Sequence, residues 1–264
     1  MRSERARVFA ISDLHLPGGE DKSMDLFGPH WQGHFDKIRE DWIRRVEETD
    51  VVLIPGDISW AMRLEDALLD LRLLGALPGH KVLIKGNHDY WWNALGKVRA
   101  ALPPGMHAIQ NDAVSLGGFV FCGSRGWNMP GVEDEQGDNL KIYRRELARL
   151  ELSLSAARRL SDSAPLIALC HFPPCGSRGE DSPVTELLER YGVSDAVYGH
   201  LHGPACAFGF SGLKNGVRYW FASCDCVGFS LVELTVASAP SVGADPAAET
   251  KTQRGENRSG PISS

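Results

Sequence analysis

No stretch of this 264-residue sequence approaches the roughly 18 consecutive apolar residues that a membrane-spanning helix needs. After the charged N-terminal residues, the apolar segment Val8–Ser12 is too short for the core of a secretory signal peptide. We therefore expect neither a membrane helix nor a signal peptide, and we predict a cytoplasmic protein.

Basic residues are not in excess, because 28 Lys and Arg residues stand against 34 Asp and Glu residues, for a net charge of −6. Proteins that bind nucleic acids or membrane surfaces along an extended face carry clusters of Lys and Arg. The charge balance therefore argues against a nucleic-acid partner and against a membrane partner. It makes no prediction about the oligomeric state.

The six cysteines include no C-x-x-C pair, and they are too few for a disulfide scaffold in a chain of this length. We predict reduced, mostly buried thiols. Cys224 and Cys226 are two residues apart and would share one face of a strand, so a thiolate metal site is the alternative.

Apolar residues make up 43% of the chain, which is enough for a sizeable core. From Ala237 onward, the chain consists mainly of Ala, Ser, Pro, Gly and charged residues, and large apolar side chains are almost absent. Such a composition does not offset the entropy lost on ordering. We predict one domain over residues 1–236 and a disordered tail over residues 237–264.

Short apolar segments alternate with amphipathic ones near the N-terminus. The predicted strands are Arg7–Ser12, Val51–Ile54 and Lys81–Ile84, and the predicted helices between them are Asp36–Glu48 and Ala61–Leu74. This alternation is typical of an α/β fold with parallel strands. Further helices are predicted at Trp91–Ala100 and Asn139–Leu160, and further strands within Met106–Cys122, at Leu166–Cys170 and at Ala196–Tyr198. The last strands, predicted to be antiparallel, are Val217–Phe221 and Phe229–Leu234.

Five of the predicted strands end in a motif that contains Asp, Asn or His. The motifs are Asp13-Leu14-His15, Gly56-Asp57, Gly86-Asn87-His88-Asp89, His171 and Gly199-His200-Leu201-His202. Ligands of open α/β sheets bind beyond the carboxyl ends of the strands, so we expect one crevice that these side chains share. Because side chains two apart on a strand point the same way, Asp13 and His15 can bind one ion together.

The ligand types select the metal. Two carboxylates, several imidazoles and one amide oxygen favour Mn²⁺, Fe or Zn²⁺ over Mg²⁺ or Ca²⁺. Two such ions, the carboxylates of Asp13 and Asp57 and one bridging hydroxide leave a charge of about +1, which would attract a phosphate group.

The order D-x-H, G-D, G-N-H-D, H and G-H-x-H resembles that of the calcineurin-like metallophosphoesterases, and the match runs from Asp13 to His202. The resemblance implies a four-layer α/β/β/α sandwich and two divalent transition-metal ions as cofactors. It implies that Asp13, His15 and His202 bind one ion, that Asn87, His171 and His200 bind the other, and that Asp57 bridges them. His88 would contact a phosphate oxygen or protonate the leaving group, and Asp89 would orient His88.

The motifs differ from those of several branches of the family, and these differences reduce the number of activities to consider. Gly56-Asp57-Ile58-Ser59-Trp60-Ala61 lacks the Asp-Arg pair of the protein Ser/Thr phosphatases, and Trp60 stands where purple acid phosphatases have a ligating Tyr. His88 stands where the UDP-diacylglucosamine hydrolases have Arg. What remains resembles the bacterial phosphodiesterase-type branch. We predict a phosphodiesterase in which a metal-bound hydroxide attacks the phosphorus of a small phosphate ester in line. The alternatives are a phosphomonoesterase acting on a nucleotide or sugar phosphate, a nuclease subunit, and an inactive metal-binding scaffold.

Two segments are candidates for substrate contacts. Arg125 could clamp a phosphate group, and Trp127 or Trp31 could stack on a base. Alternatively, Arg125 is a charged surface residue, and the two tryptophans only pack against other side chains.

Overall fold

Eleven strands form two sheets in the computed structural model, which describes residues 6–19, 24–130 and 137–236. The strands are β1 (Val8–Ala10), β2 (Val51–Ile54), β3 (His80–Leu83), β4 (Met106–Ala108), β5 (Ala113–Leu116), β6 (Phe119–Ser124), β7 (Leu166–Cys170), β8 (Asp195–Tyr198), β9 (Gly212–Lys214), β10 (Val217–Phe221) and β11 (Val232–Leu234). The helices are α1 (His34–Arg45), α2 (Leu64–Gly75), α3 (Leu95–Ala101), α4 (Asp138–Leu160) and α5 (Pro183–Arg190). The tail predicted over residues 237–264 lies outside the described residues.

The first sheet has the order β11-β1-β2-β3-β4, with β1 to β4 parallel and β11 antiparallel to β1. The second has the order β5-β6-β7-β8-β10-β9, with parallel pairing from β6 to β10 and antiparallel edge strands. The predicted antiparallel closure is therefore right for β11. It is wrong for the β10–β8 pair, because β10 runs parallel to β8 and antiparallel only to β9.

The sheets pack face to face, and a helical layer covers the outer face of each. Val8, Val51 and Val82 of the first sheet meet Phe121, Ile167 and Val197 of the second in one apolar cluster. Phe9 and Val52 point the other way and pack with Trp42 of α1 and Leu71 of α2. Leu150 and Leu154 of α4 cover Val120 and Ala168 of the second sheet. The predicted four-layer sandwich is confirmed, and each such fully buried side chain stabilises it by about 1.5–3 kcal/mol.

Helix α3 begins at Leu95, four residues later than predicted. The indole Nε1 of Trp91 donates to Asp89 at 3.0 Å and that of Trp92 donates to Gln110 at 3.0 Å. Both rings are buried, and these contacts hold the segment before Leu95 in a turn. Among the described residues, no helix combines the length and the apolar character required to cross a membrane.

The cysteine prediction is wrong for two of the six residues. Cys206 and Cys226 form a disulfide, with their Cα atoms 5.5 Å apart. It links the 3₁₀-helix Gly203–Phe208 to the turn after β10, and because Cys224 and Cys226 lie in that turn, they do not share a strand face. Cys224 and the other three cysteines are free and buried, as predicted.

Candidate metal centre

Four of the predicted ligands lie in left-handed backbone just beyond the strands. The φ angles are 61° at Asp13, 46° at His15, 51° at Asp57 and 76° at His200. Non-glycine residues rarely adopt this region, and such strain concentrates at functional sites. Asp13 and His15 follow the end of β1 at Ala10, so this sharp turn, and not the alternation of a strand, brings their side chains together.

Asp13, His15 and His202 form the first cluster, in which one ligand atom of each lies within 4.8 Å of the others. Nε2 of His15 is 3.4 Å from Nε2 of His202, and Nε2 of His202 is 3.3 Å from Oδ1 of Asp13. Two imidazole nitrogens and one carboxylate oxygen that face a common point can ligate one cation.

Asp13, Asp57 and His171 form the second cluster. Nε2 of His171 is 3.4 Å from Oδ2 of Asp57 and 2.6 Å from Oδ1 of Asn87. The His200 ring centroid lies 5.1 Å from that of His171, and the His200 N–H donates to Asp13. Every residue that the sequence nominated as a ligand therefore lies in or beside one of two adjoining clusters, and Asp13 belongs to both.

His202 is protonated at pH 7 in the metal-free site. Burial lowers the pKa of His202, but its hydrogen bonds with Asp13 and Asp225 outweigh burial and raise that pKa to about 10. Burial alone would raise the pKa of Asp13, whereas His202 and the nearby His171 bring it well below the usual range. In the metal-free protein, the imidazolium of His202 therefore stabilises the ionised carboxylate of Asp13.

For two other histidines, burial outweighs the nearby carboxylates. It lowers the pKa of His15 to about 4 and that of His200 to about 4, so both rings are neutral at pH 7. Burial would raise the pKa of Asp57, but the charge of the nearby His171 outweighs burial and lowers that pKa. His15 and His200 are thus already in the neutral form that metal ligands require, whereas His202 loses its proton when it binds a metal. Imidazole nitrogens together with carboxylate oxygens fit divalent transition metals.

Comparison with known proteins agrees with this geometry. Residues 6–204 match the calcineurin-like phosphoesterase family. The chain belongs to this family. As members of the family bind divalent metals, the two clusters are candidate metal sites of a phosphoesterase.

Solved structures of other proteins were also matched. A protein from Thermus thermophilus shares the fold: it is 16% identical, with a TM-score of 0.52, and the match covers 89% of this chain and 100% of that protein. A protein of unknown function from Aquifex aeolicus is 14% identical, with a TM-score of 0.46, over 86% of this chain and 95% of its own. A search of curated protein sequences finds no match.

Two residues that contact this phosphoesterase's site, Asp225 and Ser223, were not predicted. Asp225 accepts a hydrogen bond from Nδ1 of His202 at 2.8 Å and another from the Gly203 N–H at 2.9 Å. The Ser223 hydroxyl donates to Asp13 at 3.0 Å. Both residues follow the end of β10, so the rule that polar residues gather beyond strand ends would have found them.

Tryptophans form the wall beside the first cluster. The Trp60 ring stacks on His15, with centroids 4.7 Å apart and planes at 19°, and lies 4.6 Å from the His88 ring. Trp31 is only 2% exposed and packs against His34 and His202. The expectation that Trp31 stacks on a base is wrong because its faces are covered.

Asp89 has a different role from the one that the resemblance implies. Its carboxylate accepts hydrogen bonds from the N–H groups of Ile58, Ser59 and Gly86 and from Trp91. Nδ1 of His88 is buried and has no partner among the described residues, so Asp89 does not orient the His88 ring. Asp89 instead ties the loop after β2 to the loop after β3. Burial, with the nearby Asp57, raises the pKa of Asp89 to about 6.

Arg125 lies outside both clusters. Its guanidinium is 3.4 Å from the Glu146 carboxylate and 4.8 Å from the centre of the Trp127 ring. Its carbonyl oxygen accepts hydrogen bonds from the N–H groups of His171 and Phe172, each at 3.0 Å. The Arg125 backbone therefore borders the metal centre, while the side chain points to another region.

Proposed function

We propose that this phosphoesterase binds two divalent transition-metal ions, Mn, Fe or Zn, and hydrolyses a small phosphodiester. The observation that carries the proposal is that two ligand clusters share the Asp13 carboxylate. Asp57 supports it as the bridging ligand, because Oδ2 of Asp57 is 3.9 Å from His15 of the first cluster and 3.4 Å from His171 of the second. Asn87 and His200 complete the second site.

Such ions would lower the pKa of a water molecule and offset the negative charge of the phosphoryl oxygens. The chain's own residues prepare the site for them. His15 and His200 offer neutral nitrogens, and Asp225 holds the His202 ring by its Nδ1 atom, so that Nε2 faces Asp13. A carboxylate behind a ligating imidazole fixes the tautomer and makes the ring a stronger ligand.

We assign proton donation to His88. Its N–H donates to Oδ1 of Asp57 at 2.8 Å, which fixes the residue beside the second cluster. Its ring lies between Trp60 and Tyr90, and its centroid is 5.7 Å from that of the His15 ring in the first cluster. An imidazole beside the clusters can protonate an alkoxide leaving group or donate a hydrogen bond to a phosphoryl oxygen. Asp89 is a positioning residue for this loop.

A paired rate measurement tests the activity. Protein loaded with Mn²⁺ is expected to hydrolyse bis-p-nitrophenyl phosphate faster than p-nitrophenyl phosphate. Asp57→Asn should abolish both rates, because it removes the charge between the clusters, whereas the exposed Asp162→Asn should change neither. Turnover of the monoester alone would favour the phosphomonoesterase. Metal binding without turnover of either ester would favour the scaffold.

The substrate and the compartment belong to the same proposal. A small substrate is supported by the net charge of −6, which disfavours nucleic acid as a partner. A cytoplasmic location is supported by four free thiols. The Cys206–Cys226 disulfide is the observation against that location, because disulfides are rare in reducing compartments.

A further inference from the structure

A polar cavity of about 280 Å³ lies at the carboxyl ends of β3, β4 and β6. Four of its lining residues are Lys85, Arg125, Arg145 and Arg149, and we call it the basic cavity. The first two residues follow β3 and β6, and the other two come from α4. None of the four belongs to the two metal clusters.

Positive charge exceeds negative charge in the basic cavity. Glu146 is the carboxylate that lines it, and Glu146 lies 3.4 Å from Arg125, 3.8 Å from Arg145 and 2.7 Å from Arg149. One carboxylate against four cations leaves three positive charges. Since the whole chain carries −6, this concentration does not follow from composition. Like charges gathered in one cavity repel one another, and a bound anion would offset that repulsion.

Arg125 offers hydrogen-bond donors to the basic cavity. Its Nε atom is buried without a partner among the described residues, so a ligand in the cavity would contact the other nitrogens of this guanidinium. A guanidinium matches the oxygens of a phosphate group with two parallel hydrogen bonds.

The basic cavity adjoins the candidate metal centre. Lys85 precedes Asn87 by two residues, so their Cα atoms are at most about 7 Å apart. The Arg125 carbonyl accepts the N–H of His171 at 3.0 Å. The basic cavity and the metal centre are therefore neighbours through the backbone, although none of the described candidate metal ligands lines the cavity.

We propose that the basic cavity binds a second phosphate group of the substrate. The proposal rests on the proposed function, and it names the substrate class as a phosphate ester that carries another phosphate. The volume is close to the lower end of small-ligand pockets, about 300 Å³, which suits one phosphate and its link to the ester. It does not suit a nucleic-acid strand.

Binding to metal-free protein tests the anion site without any turnover. Calorimetric titration with inorganic pyrophosphate is expected to give a Kd that rises about tenfold in Arg145→Gln, the loss of one charged hydrogen bond. The matched control is Arg144→Gln, which removes the same charge from the exposed neighbouring position of α4. Equal Kd values for the two variants would overturn the proposal. If Arg145→Gln fails to fold, the same titration is carried out with Arg149→Gln, for which the same rise in Kd is expected.

The second phosphate is tested with Mn²⁺-loaded protein and two esters, thymidine 5′-p-nitrophenyl phosphate with and without a 3′-phosphate. The 3′-phosphate should lower KM about tenfold in the natural protein, and Arg145→Gln should remove that advantage and leave the KM of the other ester unchanged. The same KM for both esters in the natural protein would overturn the second-phosphate assignment. If neither ester reacts while pyrophosphate binding still depends on Arg145, the proposed hydrolysis fails and the anion site stands.

Discussion

At the scale of single residues, the contact between His202 and Asp225 decides how well the first cluster holds a metal. Asp225 accepts from Nδ1 of His202 at 2.8 Å, so Nε2 remains on the side of Asp13. We expect Asp225→Asn to weaken Mn²⁺ binding about 10- to 100-fold, the usual cost of losing a carboxylate behind a ligating histidine. Titration calorimetry of the metal-free protein measures it. The exposed Asp162→Asn is the control, and equal affinities in the two variants would contradict the role.

The charge of His202 predicts that metal binding releases a proton. Its pKa is raised to about 10 in the metal-free protein, so it is protonated at pH 7, whereas a ligating imidazole is neutral. The metal displaces that proton, and its affinity should therefore rise with pH by up to about tenfold per unit until pH reaches this pKa. Calorimetry in two buffers of different ionisation enthalpy counts the protons, and a count of zero at pH 7 would contradict the prediction.

The raised pKa of His202 also makes the stability of the metal-free fold depend on pH. Because the folded pKa of His202 lies above the unfolded value of 6.5, the interaction stabilises the metal-free fold fully below pH 6.5. That stabilisation is lost as pH rises through about 10. When a metal binds to Nε2 of His202, this pH dependence of stability disappears, because the ring is then neutral in the folded state.

The sequence nominated the cluster residues correctly as neighbours for a simple reason. Parallel strands end at one edge of the sheet, so the motifs that follow them meet there. Asp225 was missed because the strand-end rule was applied only where a recognisable motif follows the strand, and no such motif follows β10. The role of Asp89 was wrong because adjacency in sequence to His88 says nothing about which groups its carboxylate contacts.

At the scale of elements, the loop after β3 depends on the absence of a side chain at Gly86. A Cβ atom at Gly86 would overlap Oδ1 and the backbone N of Asp57. We expect Gly86→Ala to displace Asp57, to lower Tm and to abolish Mn²⁺-dependent hydrolysis. Gly96→Ala is the matched control, because nothing lies within 4 Å of its Cβ position in α3. It should keep full activity and change stability by no more than about 1 kcal/mol. Full activity of Gly86→Ala would refute the close approach.

Local periodicity located the helices and strands, but it did not set their ends or their long-range partners. The start of α3 moved because Trp91 and Trp92 bind side chains that the local pattern does not include. The disulfide was missed because Cys206 and Cys226 are neighbours only in space. The insertion of β10 between β8 and β9 likewise depends on the whole sheet and not on the segment itself.

At the scale of the whole molecule, the candidate metal centre joins the two sheets. Asp13 and Asp57 follow strands of the first sheet, and His171 and His202 follow strands of the second or the loop after them. A bound ion would therefore add a further connection between two layers that already meet through an apolar cluster and through hydrogen bonds to Asp13. In the metal-free protein the buried carboxylates are balanced by the charge of nearby imidazoles, and a divalent cation would bring more positive charge to them.

Metal should consequently stabilise the entire fold and not only one loop. A ligand that binds the folded state alone, at 100 times its Kd, adds about 2.7 kcal/mol, which for a chain of this size corresponds to about 5–10 °C in Tm. We expect Mn²⁺ added to EDTA-treated protein to raise Tm by this amount, and renewed chelation to reverse it. Asp57→Asn should lose most of the rise, because its carboxylate lies between the clusters, whereas Asp162→Asn should keep it. A Tm that does not respond to Mn²⁺, Fe²⁺ or Zn²⁺ would mean that the clusters do not hold an ion between the sheets.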